Sequence, residues 1–371
     1  MTNVEDVSVR ALEALLILGL RENVFPGAVV AVGRLTSRGH ARVMARAGRL
    51  AANEAKVELA TPYDLASLTK PVVALTALRL AQRGVLDLQR DVASWLPELE
   101  GTPGGEASLT QLLSHRAGLA AWAPLWEEGD APTGSEARKA QMLCSAANKR
   151  AAGLPEGGCL YSDLGYLIAG EAIARAAELP LADVVRREVT GPLGLDPQLF
   201  YAAALGVEAH AKLVATVAPT EICPPRTELA RGDVHDENCY AFGGIAGHAG
   251  MFGTAQAVLS LGLSVLNALE GRSRWLDRGL LRWALRARGG GYAVGWDTKS
   301  AEGSSAGGEF SELSFGHLGF TGTSIWCDPT RRLCAVLLSN RVCPTRENTA
   351  IRSFRPRFYD AAAELTFTEA V

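Results

Sequence analysis

The chain has 371 residues, of which 48% are hydrophobic and 21% charged, fractions that are ordinary for a globular protein with a large core. Its formal net charge is -3 and its basic residues are scattered, so the composition predicts no nucleic-acid partner. No apolar stretch is long enough to span a bilayer, and we expect no membrane partner either.

The first fifty residues predict a helix followed by a β-hairpin. Residues 7–21 carry an apolar stripe that charged residues interrupt, which favours an amphipathic helix over a signal peptide. Residues 28–32 and 42–50 are two β-rich runs. The turn residues at 37–39 predict that these runs pair as an antiparallel hairpin.

The cysteines carry information about compartment. There are seven, at positions 144, 159, 223, 239, 327, 334 and 343. An odd number at irregular spacing predicts mostly buried, reduced thiols and a cytoplasmic location. A zinc site would need paired spacing such as Cys-x-x-Cys, which the sequence lacks.

A serine and a lysine three residues apart mark the next element. Residues 72–81 have helical apolar spacing and end before Gly84. Ser67 and Lys70 lie at the start of this element, so their side chains are expected on one face. A serine hydroxyl becomes a nucleophile when a neighbouring base takes its proton, and a buried lysine can serve as that base. The alternative is an N-capping serine followed by a surface lysine, and this short motif alone leaves both open.

The middle of the chain is mostly helical. Helices are predicted at residues 108–115, 136–152, 164–178, 180–189 and 255–269. Tyr161, Ser162 and Asp163 end a loop directly before one of them. The irregular stretch before the second helix holds Trp122 and Trp126, which either line a pocket or anchor a surface loop.

Two polar stretches raise the question of a metal or phosphate site. His235, Asp236 and Glu237 form a metal site on paper, but consecutive residues rarely converge on one ion. A polar network at the surface or at a pocket rim is the alternative. The glycine-rich residues 243–253 match no phosphate-binding pattern. We therefore expect no metal and no cofactor.

Short β-like runs and a helix close the chain. The runs are residues 292–296, 324–327 and 333–339, and the helix is residues 346–365 with a bend at Pro356. Strands at both ends with helices between them predict an α/β protein of the α+β type. Its antiparallel sheet, flanked by helices, would come from residues 1–66 and 290–371. Residues 67–289 would form an inserted, mostly helical region.

Three motifs occur at long range in a fixed order. They are Ser67-Leu68-Thr69-Lys70, Tyr161-Ser162-Asp163 and His317-Leu318-Gly319-Phe320-Thr321-Gly322-Thr323. Together with flanking residues 112–119, 246–250 and 338–341, they resemble the motifs of the serine β-lactamase and penicillin-binding-protein superfamily. The branch resembled is the class C-like group that includes family VIII carboxylesterases. The resemblance covers most of the chain and implies the β-lactamase/transpeptidase fold.

The resemblance implies a role for each matching residue. Ser67 would be the acylated nucleophile, and Lys70 would hold and deprotonate it. Tyr161 would relay protons to the leaving group and activate the deacylating water, which requires that Lys70 and the local field lower the cost of ionising the phenol. The backbone N–H groups of Ser67 and of Phe320, which follows Gly319, would form the oxyanion hole.

Two positions depart from the pattern of penicillin-recognising members. Asp163 stands where they carry Asn, so it offers no amide N–H to a substrate carbonyl. His317 stands where lactamases carry Lys, and a neutral histidine holds an anionic substrate less well. Both changes occur in esterase-like members. Arg341 or Arg346 would either supply the missing charge or form exposed salt bridges.

The sequence supports three functional hypotheses. The first is a cofactor-free serine hydrolase that acts through an acyl-enzyme, with short esters as better substrates than β-lactams. The second is a true β-lactamase or D-alanyl-D-alanine carboxypeptidase, which the expected cytoplasmic location disfavours. The third is a non-catalytic scaffold that binds a partner or a small acyl ligand. His115 and His248 are expected to be hydrogen-bonding loop residues.

Overall fold

The computed structural model describes residues 4–367, apart from residues 38, 156, 225 and 288–290. The helices are α1 Val4–Arg21, α2 Thr69–Gln82, α3 Leu109–Leu113, α4 Glu136–Asn148, α5 Asp163–Ala177, α6 Leu181–Val185, α7 Val207–Thr216, α8 Glu237–Ala241, α9 Ala255–Leu269, α10 Arg278–Leu285 and α11 Ile351–Glu364. The strands are β1 Gly27–Leu35, β2 His40–Gly48, β3 Tyr63–Asp64, β4 Leu199–Tyr201, β5 Met251–Gly253, β6 Asp297–Thr298, β7 Phe315–Leu318, β8 Ser324–Asp328 and β9 Leu333–Ser339.

A six-stranded antiparallel sheet joins the two ends of the chain. Its strand order is β2-β1-β9-β8-β7-β6, and each neighbouring pair is antiparallel. β1 lies between its hairpin partner β2 and the C-terminal strand β9, with Val30 opposite both Ala45 and Leu337. The predicted fold class, an antiparallel sheet built from both termini with a mostly helical region inserted, is confirmed.

Helices cover both faces of this sheet. On one face α1 and α11 contribute to a buried cluster that includes Leu16, Phe25 and Phe354. The rings of Phe25 and Phe354 meet edge to face, with their centroids 5.2 Å apart. On the other face α9 and the inserted helices form a larger cluster. β1 is therefore buried along almost its whole length, which explains its nearly continuous apolar sequence.

A second, three-stranded sheet ties the segment before Ser67 to the inserted region. β5 lies between β3 and β4, and Asp64 pairs with Phe252. The glycine-rich residues that precede β5 pass very close to α5. A Cβ atom on Gly247 would lie 1.9 Å from the carbonyl oxygen of Tyr166, so this crossing requires glycine.

Two local predictions in the last third of the chain are wrong in detail. Residues 292–296 form a turn instead of a strand, and the strand nearby is the two-residue β6. The neighbouring strand β7 leads into the third motif, and a Cβ on its Gly316 would lie 2.3 Å from the Ile325 carbonyl oxygen, so its pairing with β8 requires glycine. α11 begins only at Ile351, because the preceding residues bond elsewhere: the Arg346 N–H donates to the Glu221 carboxylate at 2.6 Å.

The start of the helix after Ser67 also differs from expectation. Ser67 lies in a 3₁₀ turn, Ala66–Leu68, and α2 follows at Thr69. The helix predicted at residues 108–115 is found as α3, and Ser108 and Gln111 form a reciprocal capping box at its start. The division into residues 1–66 plus 290–371 and residues 67–289 stays a prediction.

The length and apolar character of the helices test whether any of them could cross a membrane. Within the described ranges, none combines the length and the apolar character that a membrane crossing requires.

Replacing Phe354 by alanine should lower the free energy of unfolding by about 3–5 kcal/mol, because the ring is fully buried against α1. Urea unfolding followed by circular dichroism measures the change. Val207→Ala is the control: Val207 is 91% exposed, and its truncation should cost less than about 0.5 kcal/mol. A loss below about 1 kcal/mol for Phe354→Ala would contradict the packing described.

Candidate active site

Ser67 and Lys70 meet at the start of α2. The preceding residue, Ala66, has a φ of 46°, in the left-handed region that alanine seldom adopts, and its N–H donates to Asp64 Oδ1 at 2.8 Å. Lys70 is fully buried, and its Nζ lies 2.8 Å from Ser67 Oγ and 3.2 Å from the His248 carbonyl oxygen. The lysine is therefore held by backbone and side-chain acceptors beneath a partly exposed serine.

Tyr161 and Asp163 reach the same point from the start of α5. Ser162 caps this helix, its hydroxyl accepting from the Gly165 N–H at 3.1 Å, and Asp163 occupies the first turn. Asp163 Oδ1 forms an ion pair with Lys70 Nζ at 2.7 Å. The Tyr161 ring centroid lies 4.9 Å from Lys70 Nζ, and its hydroxyl is within hydrogen-bonding reach of Ser67.

The charge environment of Tyr161 differs from what the sequence suggested. Burial of the phenol, together with the negative charge of Asp163, raises its pKa well above 10, although the hydrogen bond with Ser67 acts in the opposite direction. Tyr161 is therefore a neutral phenol in the resting protein. The expected lowering of its cost of ionisation by the local field is wrong for this state.

His115 supports the loop that carries Tyr161. Its Nδ1 accepts from the Ser162 N–H at 3.0 Å, and its ring packs 4.5 Å from the Tyr161 ring. Burial, followed by the charge of Lys70, lowers the pKa of His115 well below 6.5, which keeps the accepting nitrogen free of a proton. These contacts agree with a hydrogen-bonding loop residue.

The third motif borders the site from β7. The hydroxyl of Thr321 donates to the Asp64 carbonyl oxygen at 2.7 Å, and that of Thr323 donates to the Leu65 carbonyl oxygen at 3.0 Å. These two bonds fix the motif against the segment that ends at Ser67. The Phe320 N–H has no acceptor among the described residues, so it is available to a ligand oxygen.

His317 lies in the cavity wall and carries no charge at neutral pH. Burial, then the charge of Lys70, lowers its pKa to about 3. Its Nδ1 lies 3.0 Å from the Leu318 carbonyl oxygen, which fixes the ring orientation. The position that carries a lysine cation in lactamases is thus neutral here.

A cavity of about 540 Å³ brings these groups together. The residues predicted from the sequence that line it are Ser67, Tyr161, Asp163, His317, Gly319 and Phe320. Lys70 lies beneath Ser67, without exposed surface. Trp122 also lines the cavity, in line with the pocket alternative for the tryptophan-bearing stretch.

Residues 235–237 do not converge on one point. The His235 ring pairs with the Glu221 carboxylate at 2.8 Å. The Asp236 carboxylate pairs with the His248 ring at 2.9 Å, and the Glu237 carboxylate pairs with the Arg346 guanidinium at 2.6 Å. No group of three or more His, Cys, Asp or Glu side chains in the described residues is arranged to hold a metal ion. The arrangement is a polar network at the cavity rim.

Four arginines line another part of the cavity rim, and the sequence analysis named only two of them, Arg341 and Arg346. Arg346 is tied to Glu221 and Glu237, whereas Arg341 is buried and not exposed as expected, donating to the Phe320 carbonyl oxygen at 2.9 Å. Neither side chain is free.

Two residues that the sequence analysis missed also line the cavity from α11. Buried Arg355 donates to the Gly319 and Thr323 carbonyl oxygens at 2.9 and 2.8 Å, which braces the third motif. Arg352 is exposed, and within the described part of the chain its guanidinium has no hydrogen-bond or ion-pair partner. In the sequence, the three-residue spacing of Arg352 and Arg355 was the only sign that both side chains share one face of a helix.

Comparisons with known proteins agree with this arrangement. A family model described as Beta-lactamase matches residues 12–355. An N-acetylmuramyl-L-alanine amidase of Bacillus subtilis (strain 168) is 29% identical over 346 residues, which cover 85% of this chain and 77% of that protein.

Solved structures show the same fold. EstCE1, described as a hydrolase with promiscuous acyltransferase activity, matches with a TM-score of 0.74 at 19% identity, over 97% of this chain and 99% of its own. A class C beta-lactamase from Rhodobacter sphaeroides gives a TM-score of 0.67 at 18% identity, over 95% and 99%. The resemblance inferred from the three motifs is confirmed.

The buried, neutral state of His317 predicts a pH-dependent stability. Because its folded pKa of about 3 lies below the unfolded value of about 6.5, its contribution is complete above pH 6.5 and is lost as the pH falls towards 3. His317→Gln should therefore reduce the slope of unfolding free energy against pH by up to about 1.4 kcal/mol per pH unit between pH 4 and 6. Urea unfolding at a series of pH values measures both slopes.

The internal control is the range from pH 7 to 8, where this histidine contributes no slope and the two proteins should run parallel. Equal slopes between pH 4 and 6 would show that His317 takes up its proton as readily in the folded protein as in the unfolded chain.

Proposed function

The chain belongs to the beta-lactamase family of serine hydrolases, and from that premise we propose that it hydrolyses small esters, and amides more slowly, through an acyl-enzyme on Ser67. The observation that carries the proposal is the 2.8 Å contact between Ser67 Oγ and the fully buried Lys70 Nζ at the wall of the cavity. A hydroxyl in contact with a buried amine is the arrangement that activates a serine nucleophile.

Acylation begins with proton transfer from Ser67 Oγ to Lys70 in its amine form, while Oγ attacks the substrate carbonyl carbon. Asp163, 2.7 Å from Nζ, then stabilises the ammonium that forms, as the carboxylate of a catalytic triad stabilises its imidazolium. The carbonyl oxygen becomes an oxyanion that accepts from the N–H groups of Ser67 and Phe320. Each such donor contributes about 3 kcal/mol to lowering the barrier.

Tyr161 completes the proton path as a donor. Its neutral phenol gives its proton to the leaving group as the tetrahedral intermediate collapses, and it regains a proton from the Lys70 ammonium. In deacylation water attacks the acyl carbon, its proton passes back along the same groups, and Ser67 Oγ leaves with a proton. No cofactor is required by this sequence.

Esters are the better substrates in this proposal because the two departures from the lactamase pattern remove groups that hold anionic amides. Asp163 is an acceptor committed to Lys70 and has no amide N–H to offer. His317 is neutral, so the third motif supplies no positive charge to a lactam carboxylate. An ester needs neither group, and its alkoxide leaving group is easier to expel than an amine.

Incubation with a short activated ester, and separately with a penicillin, tests the proposal. Intact mass read beside product release should show fast ester turnover that Ser67→Ala abolishes, and a lasting penicillin adduct on Ser67 only in the wild-type protein. Ser353→Ala, an exposed serine on α11, is the matched control and should behave as wild type. Ester hydrolysis that survives Ser67→Ala would refute the proposal.

Rapid penicillin hydrolysis without an adduct would instead favour a true β-lactamase. Membership of this enzyme family argues against the non-catalytic scaffold. The cytoplasmic location and the lack of a nucleic-acid partner stay predictions.

A second candidate function is hydrolysis of a cell-wall-type amide whose leaving group bears a carboxylate, which includes the D-alanyl-D-alanine carboxypeptidase alternative. The observation that favours it is the unpartnered Arg352 guanidinium at the cavity rim. The similarity to an N-acetylmuramyl-L-alanine amidase points the same way. A guanidinium recognises a carboxylate through two parallel hydrogen bonds.

If this candidate is right, Arg352→Gln should lower kcat/KM for N-acetylmuramyl-L-alanine about tenfold, the size of one lost charge-assisted contact. The same substrate with its terminal carboxylate converted to a carboxamide should be affected much less. Arg357→Gln, on the same helix but paired with Glu22 outside the cavity, is the matched control. Equal losses on both substrates would exclude a carboxylate contact.

A further inference from the structure

One acidic side chain of the cavity has no basic partner. Three of the four carboxylates that line the cavity are already paired with a basic group. The pairs are Asp163 with Lys70 at 2.7 Å, Asp236 with His248 at 2.9 Å, and Glu237 with Arg346 at 2.6 Å. The fourth is Asp297, and no lysine, arginine or histidine in the described ranges lies within 4.0 Å of its carboxylate oxygens.

Asp297 is held in place by the sheet. It begins the edge strand β6, opposite Gly316 of β7, and it also bridges to Tyr292 across the turn that precedes the strand. Its position beside the third motif is therefore fixed by backbone pairing and not by an ion pair. Neither the catalytic steps proposed above nor the packing of the core uses its carboxylate.

Aromatic side chains line the same cavity as this carboxylate. The negative charge of Asp297 acts on the phenols of both Tyr292 and Tyr161, which places the three groups close together. The centroids of the two rings are 5.7 Å apart, and Trp122 lines the same cavity with 48% of its surface exposed. A carboxylate and aromatic rings in one cavity can bind an ammonium group together, by charge and by cation–π attraction.

The protonation state of Asp297 suits a cationic ligand above neutral pH. Burial raises the pKa of its carboxyl to about 6, with an opposing backbone hydrogen bond from Thr298. The carboxylate is thus ionised at pH 8 but poorly solvated and without a counter-ion. A ligand cation would return the electrostatic stabilisation that burial removes.

We propose that Asp297 and the ring of Tyr292 form a subsite that selects substrates carrying a cationic group, an ammonium or quaternary ammonium. This inference rests on the proposed Ser67-dependent hydrolysis and adds the substrate class. It assigns Asp297 as a specificity-determining residue outside the proton path.

Two pairs of isosteric esters test the subsite, one with the charge in the alcohol and one with the charge in the acyl chain. The first pair is acetylcholine and 3,3-dimethylbutyl acetate. The second is the p-nitrophenyl esters of 6-(trimethylammonio)hexanoate and 7,7-dimethyloctanoate. Within each pair a quaternary nitrogen replaces a quaternary carbon, so only the charge differs. The ratio of kcat/KM within a pair, measured at pH 8, reports selection for the cation.

We expect the wild-type protein to favour the cationic member of at least one pair by about tenfold or more. Asp297→Asn should bring that ratio to within about threefold of unity, and a ratio cancels any general loss of activity in the variant. Asp183→Asn, an exposed aspartate on α6 paired with Arg186, is the matched control and should keep the wild-type ratio. No preference in either pair, or a preference that Asp297→Asn retains, would overturn the inference.

Binding of the alcohols alone separates this inference from the proposed function. Choline and 3,3-dimethylbutan-1-ol are titrated into the wild-type and Asp297→Asn proteins by saturation-transfer NMR. If the neutral esters prove not to be hydrolysed through Ser67, the proposed function fails. Choline binding that the wild type shows and Asp297→Asn loses would still support the subsite, whereas equal binding by both proteins would reject it.

Discussion

The buried amino group of Lys70 is the contact on which the rest of the site depends. The side chain has no exposed surface, so its donors must find protein acceptors, and they are Ser67 Oγ, Asp163 and the His248 carbonyl oxygen. These acceptors come from three separate segments: the turn before α2, the start of α5 and the glycine-rich stretch. Because a buried amino group without hydrogen-bond partners is costly, these contacts favour assembly of the three segments around Lys70.

A second set of contacts extends this assembly to the third motif. Thr321 and Thr323 donate to the carbonyl oxygens of Asp64 and Leu65, and Arg355 donates to the carbonyl oxygens of the loop from the opposite side. Burial lowers the pKa of Arg355 to about 10, so it remains charged at neutral pH and keeps these bonds. The motif is thus held between the segment that ends at Ser67 and α11, and the Phe320 N–H has no acceptor among the described residues. In the proposed mechanism this arrangement preorganises an oxyanion site.

The distribution of charge in the cavity is the basis of the proposed substrate preference. Three of the four carboxylates at the wall have a basic partner, and the histidine of the third motif is neutral. Arg341 and Arg355 are held by backbone carbonyl oxygens, which leaves Arg352 at one rim and Asp297 at the edge strand without an ion pair in the described part of the chain. In the proposals above, substrate choice depends on these two unmatched charges as well as on the motif residues Asp163 and His317.

The sequence by itself determined the features that depend on local spacing. The three-residue separation of Ser67 and Lys70, the cap at Ser108 and the hairpin at the N-terminus are set by neighbours in the chain, and each is found in the structure. The order of the three motifs identified the fold through its resemblance to a known superfamily. Strands at both ends with helices between them predicted one sheet built from both termini. The short run 292–296 was misjudged as a strand because strand pairing depends on a partner that is distant in the sequence, and pairing with β7 begins only at Asp297.

Only the tertiary structure decided which groups of the site are charged and which charges are paired. The pKa shifts of Tyr161 and His317 arise from burial and from charges far away in the sequence, so no local pattern could reveal them. The same holds for Arg352 and Asp297. Each is an ordinary surface-type residue in the sequence, and each enters the proposals because folding brings it to the cavity without a partner of opposite charge in the described residues. Spacing along the chain fixes which groups are near their neighbours, whereas burial and long-range pairing fix which charges remain uncompensated.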